Sequence, residues 1–302
     1  MGMQKQKVII ICGQTATGKS DFAVQIAKKH NSEIISADSR QVYTGLNIGT
    51  GKITKKEMSG IPHHLLDIAS PKKVFSVNDY KRLAVRAIEN ISARDKTPII
   101  CGGTGFYIDT LLGVIDLPEV PPNKELRKKL ESKTRAQLLT ILKKLDPVRT
   151  ETIDQNNPVR LIRAIEIAQA LGKVPTLKTE SSYNVLWIGL SLPDEILKEK
   201  IHTRLLARMK QGMLREAKNL HRDGLSWKRM RELGLEYRFL ADHLTGKLTK
   251  EEMLAQLETA IWHYAKRQKT WFKRNEGIVW IDPRKKSEVK KVEKLTKTFL
   301  TS

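Results

Sequence analysis

Val8-Ile9-Ile10-Ile11-Cys12 runs directly into Gly13-Gln14-Thr15-Ala16-Thr17-Gly18-Lys19-Ser20, and this junction decides the fold. The first part is a short β-branched run of the kind that forms a buried parallel strand. The second is a complete G-x-x-x-x-G-K-[ST] phosphate loop. From Asp21 to His30, Phe22, Ala23, Ile26 and Ala27 recur at helical spacing. A loop that joins strand to helix in this way points successive backbone N–H groups, and a helix N-terminus, at an anion. Residues 13–20 are therefore expected to bind phosphate or diphosphate, with Lys19 adding a full charge and the Ser20 hydroxyl available to Mg²⁺.

Working outward, further strands are expected at Glu33–Ala37, Pro98–Cys101, Val185–Leu192 and Ile278–Ile281, with an amphipathic helix at Val77–Ala93. This alternation predicts an α/β fold: a doubly wound parallel sheet with its sites at the carboxyl ends of the strands. After Leu112 the pattern breaks at Leu117-Pro118-Glu119-Val120-Pro121-Pro122, then turns helical and highly charged to about Leu171. The expected organisation is a core of residues 1–115 and 184–302, interrupted by a helical insertion at 116–183. The basic tail from Arg284 onward is expected to fray.

Lys and Arg total 55 against 33 Asp and Glu, a formal charge of +22. Such an excess suits a polyanionic partner, nucleic acid above all, although a lysine-rich solubilising surface would give the same number. No apolar run is long enough to span a bilayer, and residues 1–7 carry no secretory or transit signal, so a cytoplasmic location is expected. The two cysteines, Cys12 and Cys101, fall in expected core strands and read as small buried apolar residues.

Several segments carry chemistry. Asp38 ends the second expected strand in Asp38-Ser39-Arg40-Gln41-Val42-Tyr43. It reads as a Mg²⁺ ligand, a general base acting on an acceptor, or a helix-capping carboxylate. Ser39, Arg40 and Gln41 suit base edges or riboses. Residues 98–101 end in Gly102-Gly103-Thr104-Gly105, where a phosphate-loop ATPase normally carries a magnesium-directing Asp, which argues against routine ATP hydrolysis. His63-His64 lacks zinc-ligand spacing. Arg160 and Arg163 share a helical face and read as phosphate grips or as ion-pair partners of Glu166. One arginine of the Ile201–Gly212 segment is placed to reach back to the phosphate site. Tyr264–Arg274 interleaves cations with aromatics, which fits either RNA contact or an amphipathic core helix.

Taken in order, these segments resemble the tRNA dimethylallyltransferase (tRNA isopentenyltransferase) family in its short bacterial form. The matching stretches are residues 13–20, 38–43, Gly-Thr-Gly-Lys at 49–52, Pro-His-His-Leu-Leu-Asp-Ile at 62–68, Gly-Gly-Thr-Gly-Phe-Tyr at 102–107, Asn-Pro-Val-Arg-Leu-Ile-Arg-Ala at 157–164 and Tyr-Ala-Lys-Arg-Gln-Lys-Thr-Trp-Phe at 264–272. The resemblance implies transfer of a dimethylallyl group from dimethylallyl diphosphate to N6 of the adenine 3′ of the anticodon, in tRNAs reading codons that begin with U. It also implies Mg²⁺ and a flipped adenine reached through a channel; the protein itself is expected to be a monomer. By motif position it makes Asp38 the general base, puts Thr15 near the bridging oxygen and has Arg204 hold the diphosphate beside Gly13, Gln14, Ala16, Thr17, Gly18, Lys19 and Ser20, with Ser20 on the metal. Asp38, Ser39, Arg40, Gln41, Thr104, Val159, Arg160, Leu161, Ile162 and Arg163 match tRNA-contacting positions. Two departures stand out: Gln14 replaces the family's usual proline, and Arg231-Glu232-Leu233-Gly234-Leu235-Glu236-Tyr237 replaces its usual Ile-Gly-Tyr. A small-molecule kinase and an RNA-binding NTPase switch are the rival readings of the same core.

Overall fold

The computed structural model describes residues 5–115, 118, 120–174, 181 and 183–302. Of the breaker-rich boundary, Leu117 and Glu119 lie outside the described residues, as does Asp116, the expected start of the insertion. Two compact units are present: Met1–Leu112 with Ser181–Ser302, and Gly113–Glu180.

The larger unit is built on a six-stranded parallel sheet. Its strands are β1 (Lys7–Gly13), β2 (Glu33–Ser36), β3 (His63–His64), β4 (Pro98–Cys101), β5 (Asn184–Leu190) and β6 (Val279–Ile281), in the order β3-β2-β4-β1-β5-β6. The apolar run Val8–Cys12 is fully buried at the middle of this sheet, as a strand covered on both faces must be. Ile9 and Ile11 pack with Phe22 and Ile26 of the helix Lys19–Lys29 and with Val292 of the helix Lys286–Thr301. The helix Val77–Ser92 buries Tyr80, Ala84, Ile88 and Ile91, and a Ser76–Asp79 capping box satisfies its first N–H groups. The tail expected to fray is instead the ordered helix Lys286–Thr301. Its apolar positions seat Val292 with no exposure, which offsets the ordering entropy.

From sequence, β3 was missed because it is only His63 and His64, with no apolar run. It pairs at the sheet edge with Ile34 and Ile35. His63 shares a hydrogen bond between its Nδ1 and the Ile61 carbonyl at 2.8 Å, and His64 Nε2 meets Glu33 Oε2 at 2.8 Å. Both rings are thus occupied in the fold. Glu33, with a side chain only 1% exposed, also accepts from Arg94 and, at 2.9 Å, from Lys96. The bidentate Arg94 guanidinium, helped by His64 and Lys96, holds its carboxyl well below the usual carboxylate range.

The smaller unit is helical: Lys124–Glu131, Arg135–Leu145, Pro147–Thr152 and Pro158–Leu171. Leu130, Leu138, Leu142, Leu161 and Ile165 form its core.

Because the Glu33 pKa is depressed on folding, its contribution to stability is present above the unfolded value of about 4.3 and is lost as pH falls below it. Glu33→Gln is expected to cost about 2 kcal/mol at pH 7, with the gap to wild type closing below about pH 4, as read by urea melts across pH 3–7.

Candidate active site

The carboxyl ends of β1, β2 and β4 open into a cavity of about 420 Å³. The phosphate loop forms its floor. Gly13, at φ 131°, lies where a Cβ would meet the Leu190 carbonyl oxygen at 2.3 Å, so the turn out of β1 requires glycine. Gly18 caps the helix Lys19–Lys29 with no side-chain acceptor, leaving its first amides to face an anion. Inside the loop, Thr17 Oγ1 donates to the Gln14 carbonyl at 2.8 Å and Lys19 Nζ donates to the same oxygen at 2.5 Å. Burial lowers the Lys19 ammonium to about 8. Ser20 is exposed at the cavity wall.

The opposite wall comes from the helix Asp194–Gln211. Arg204 Nη2 donates to Thr15 Oγ1. Arg208, one turn on, lines the cavity beside it, donates to the Gly49 carbonyl at 3.3 Å and lies 3.4 Å from Glu236 Oε1. Desolvation first, then the like charge of Arg208, pulls the Arg204 guanidinium down to about 9. Lys19, Arg204 and Arg208 are thus crowded cations in a partly dehydrated cleft, the electrostatic signature of an anion site.

Asp38 follows β2 on the cavity's third side. Both recorded hydrogen bonds to it fall on Oδ1, from the Arg40 N–H at 2.8 Å and the Gln41 N–H at 3.3 Å. These fix the carboxylate and leave Oδ2 as the acceptor for a ligand. Asp38 and Gln41 line the cavity; Ser39 instead donates its N–H to Thr104 Oγ1 at 3.1 Å. Gly102 packs so closely that a Cβ would meet the Ala37 carbonyl oxygen at 2.2 Å, which excludes any side chain there.

Other cavity residues escaped the sequence reading. Gln268, from the helix Lys250–Phe272, accepts from the Thr15 N–H at 2.7 Å and donates to the Gly103 carbonyl at 3.0 Å, strapping the phosphate loop to the β4 turn. Tyr264, one turn earlier, lines the cavity. In the 264–274 stretch Ala265, Gln268 and Phe272 are buried and Trp271 Nε1 donates to Asp109 at 2.9 Å, while Lys266, Arg267 and Arg274 are exposed. It is therefore a core helix with a basic outer face. Glu216 accepts from the N–H groups of Asn47, Ile48 and Gly49 at 3.0, 2.8 and 3.0 Å and from the Tyr237 hydroxyl at 2.7 Å, fixing the loop that forms the fourth wall. Lys52 of that loop is spent on Asp67 and on the Tyr43 carbonyl at 2.8 Å. Cys12 and Cys101 are buried free thiols, and desolvation raises both, Cys101 to about 12.

Within the helical unit, Val159 is 75% exposed and Arg160 projects to solvent, 3.5 Å from Asp154. Leu161 and Ile162 are core residues. Arg163 is held by Glu166 at 3.2 Å and by the Val120 carbonyl at 2.8 Å, and Arg127 grips the same carboxylate through two 2.7 Å bonds.

A phosphate loop, two inward arginines and a restrained carboxylate around one cavity define an enzyme that works on a phosphate-bearing substrate. The family model for IPP transferase matches residues 41–275, and the chain belongs to that family. It is 44% identical to a tRNA dimethylallyltransferase 2 of Treponema denticola over 278 residues, covering 90% of this chain and 93% of the relative. It is 41% identical to a tRNA dimethylallyltransferase 1 of Parabacteroides distasonis, covering 93% and 94%. Among solved structures it is similar to the tRNA isopentenylpyrophosphate transferase of Bacillus halodurans, at TM-score 0.76 and 34% identity over 98% of this chain and 97% of that one. It is also similar to a eukaryotic dimethylallyltransferase acting on tRNA, at TM-score 0.76 and 29% identity over 88% and 70%.

Two buried glutamines make opposite predictions. Gln268 is bonded at both ends, whereas neither amide atom of Gln14 has a partner among the described residues. Gln268→Met, which orphans a backbone N–H and a carbonyl, is expected to lose about 2–3 kcal/mol. Gln14→Met, which removes an unsatisfied amide, is expected to gain about 1 kcal/mol, both read by chemical denaturation.

Proposed function

We propose that the protein transfers the dimethylallyl group of dimethylallyl diphosphate to N6 of the adenine 3′ of the anticodon, in tRNAs reading codons that begin with U. The observation that carries this reading is the placing of Asp38 across one cavity from a phosphate loop backed by Arg204 and Arg208. Carbon is the centre attacked: N6 bonds to the allylic carbon, the carbon–oxygen bond breaks, and its electron pair leaves with diphosphate. Positive charge grows on the allyl group and negative charge on the leaving oxygen. The amides of residues 13–20, Lys19 and Arg204 stabilise that oxyanion from fixed positions. Thr15, whose hydroxyl oxygen accepts from Arg204, keeps its own proton free to donate to the bridging oxygen. Asp38 Oδ2 takes the N6 proton, helping a weakly nucleophilic amine.

Mg²⁺ fits the donor set. Ser20, Asp21, Thr54 and Glu57 supply oxygen at the cavity, and no cluster of three or more His, Cys, Asp or Glu side chains competes for a softer metal among the described residues. Ser20 would hold the ion together with substrate phosphate oxygens. When bound, it neutralises charge on the leaving diphosphate.

An adenine within an anticodon loop must leave its stack to enter such a cavity. The +22 charge supplies a sequence-independent grip on the RNA, to which exposed Lys266 and Arg267 of the larger unit contribute, as does exposed Arg160 of the helical one. The reading includes a monomer that works on tRNA in the cytoplasm. Among the described residues no helix is long and apolar enough to cross a membrane.

Incubation with labelled dimethylallyl diphosphate, Mg²⁺ and tRNA lacking the modification is expected to label the tRNA. ATP turnover without label would overturn the reading. Asp38→Asn is expected to slow transfer by about 10²–10⁴-fold while tRNA affinity stays within about twofold, with turnover and filter binding as the two readouts. Equal losses in both would assign Asp38 to binding alone.

A further inference from the structure

Gly234-Leu235-Glu236-Tyr237 brings a buried carboxylate to the back of the anion site. Gly234 has φ 80° and Leu235 φ 22°, a conformation that a leucine adopts only at a cost, and Glu236 follows in the first turn of the helix Leu235–Leu244. The Glu236 side chain is 15% exposed and that of Arg208 10%, with Arg208 Nη1 at 3.4 Å from Glu236 Oε1. Gly51 packs closely on the same guanidinium: a Cβ there would meet Arg208 Nη2 at 1.6 Å. We infer that Glu236 is the counter-charge of Arg208, a positioning residue that tempers the diphosphate site so that the diphosphate product can leave.

The inference rests on the diphosphate reading of the cavity. An anion site with the amides of a phosphate loop and three cations holds the product as firmly as the substrate, because both present phosphate oxygens to the same groups. Release then limits turnover. A buried carboxylate within reach of one of those cations lowers the local potential. It does so without touching the ligand, since the cavity is lined by Arg208 and not by Glu236. The groups facing Glu236 are Arg208 and Arg204 from the helix Asp194–Gln211 and Asp38 from the end of β2. Burial raises its carboxyl above the usual range, and the two arginines oppose that rise, so its charge depends on them.

The test is a double-mutant cycle on the full chain, with inorganic diphosphate and Mg²⁺ as the probe, read by calorimetry and by product inhibition. Glu236→Gln is expected to bind diphosphate about tenfold tighter and to lower KM for dimethylallyl diphosphate and kcat together. In the Arg208→Gln background, where the cation that Glu236 tempers is gone, the same change is expected to alter diphosphate affinity by less than about twofold. Glu236→Asp, which keeps the charge, is expected to stay nearer to wild type. Unchanged or weaker diphosphate binding by Glu236→Gln, or a tenfold gain that persists without Arg208, would overturn the counter-charge role and leave the diphosphate reading intact. Wild-type protein that binds no diphosphate would instead remove the reading beneath it.

Discussion

Three cations, Lys19, Arg204 and Arg208, share one partly dehydrated cavity, and the rest of the site is arranged to hold them there. Burying like charges together is unfavourable unless each is fixed by other groups. The fixtures are specific. Lys19 is tied to the Gln14 carbonyl, Arg204 to the Thr15 hydroxyl, and Arg208 to Gly49 and Glu236. None of these contacts supplies a full counter-charge except Glu236, so a net positive field survives for an anionic ligand. The sheet makes this affordable, because the β1 to β5 register and the buried Val8–Cys12 run leave the loop little freedom to relax away from it.

The walls answer to the same constraint. A cavity whose field depends on cations from distant parts of the chain fails if its walls drift by an ångström or two. Gln268 links two turns of the sheet edge with one amide, and Glu216 captures three consecutive loop amides with one carboxylate. Gln268 also lines the cavity, whereas Glu216 acts on its wall from behind. Gln268 is buried and Glu216 partly so, and the bonds each makes hold its loop in a single arrangement.

What the sequence showed and what it concealed divide along contact distance. The phosphate loop, Asp38 and the glycine turn at 102–103 are legible because each function is carried by neighbouring residues on one strand end. One arginine of the 201–212 segment is legible as reaching the phosphate site, and only the fold reveals that Arg204 and Arg208 both line it. Gln268 and Glu216 bond to residues more than about a hundred positions away and Glu236 to Arg208 on a different helix, and no local pattern encodes such pairs. The edge strand at His63–His64 was hidden for another reason: a two-residue strand held by histidine and carboxylate has no periodicity to read. In the helical unit one motif does two jobs. Arg163 serves the Glu166 network while its neighbour Arg160 stays at the surface, so side chains three apart on a basic helix need not share a role.

The end of β4 distinguishes chemistry at carbon from chemistry at phosphorus. Phosphoryl transfer to water or a hydroxyl calls for a metal-directing carboxylate beside the phosphate loop. Here the position is Gly102, and the Ala37 carbonyl fills the space that any side chain would need. The carboxylate stands one strand over, at Asp38, pinned through Oδ1 by backbone amides and presenting Oδ2 to the cavity. In the proposed reaction a carboxylate so placed serves to take a proton from an acceptor that enters opposite the phosphates. In the proposed reaction the loop that elsewhere holds a nucleotide for attack at phosphorus holds a group that departs, and the acceptor side of the cavity decides between the two.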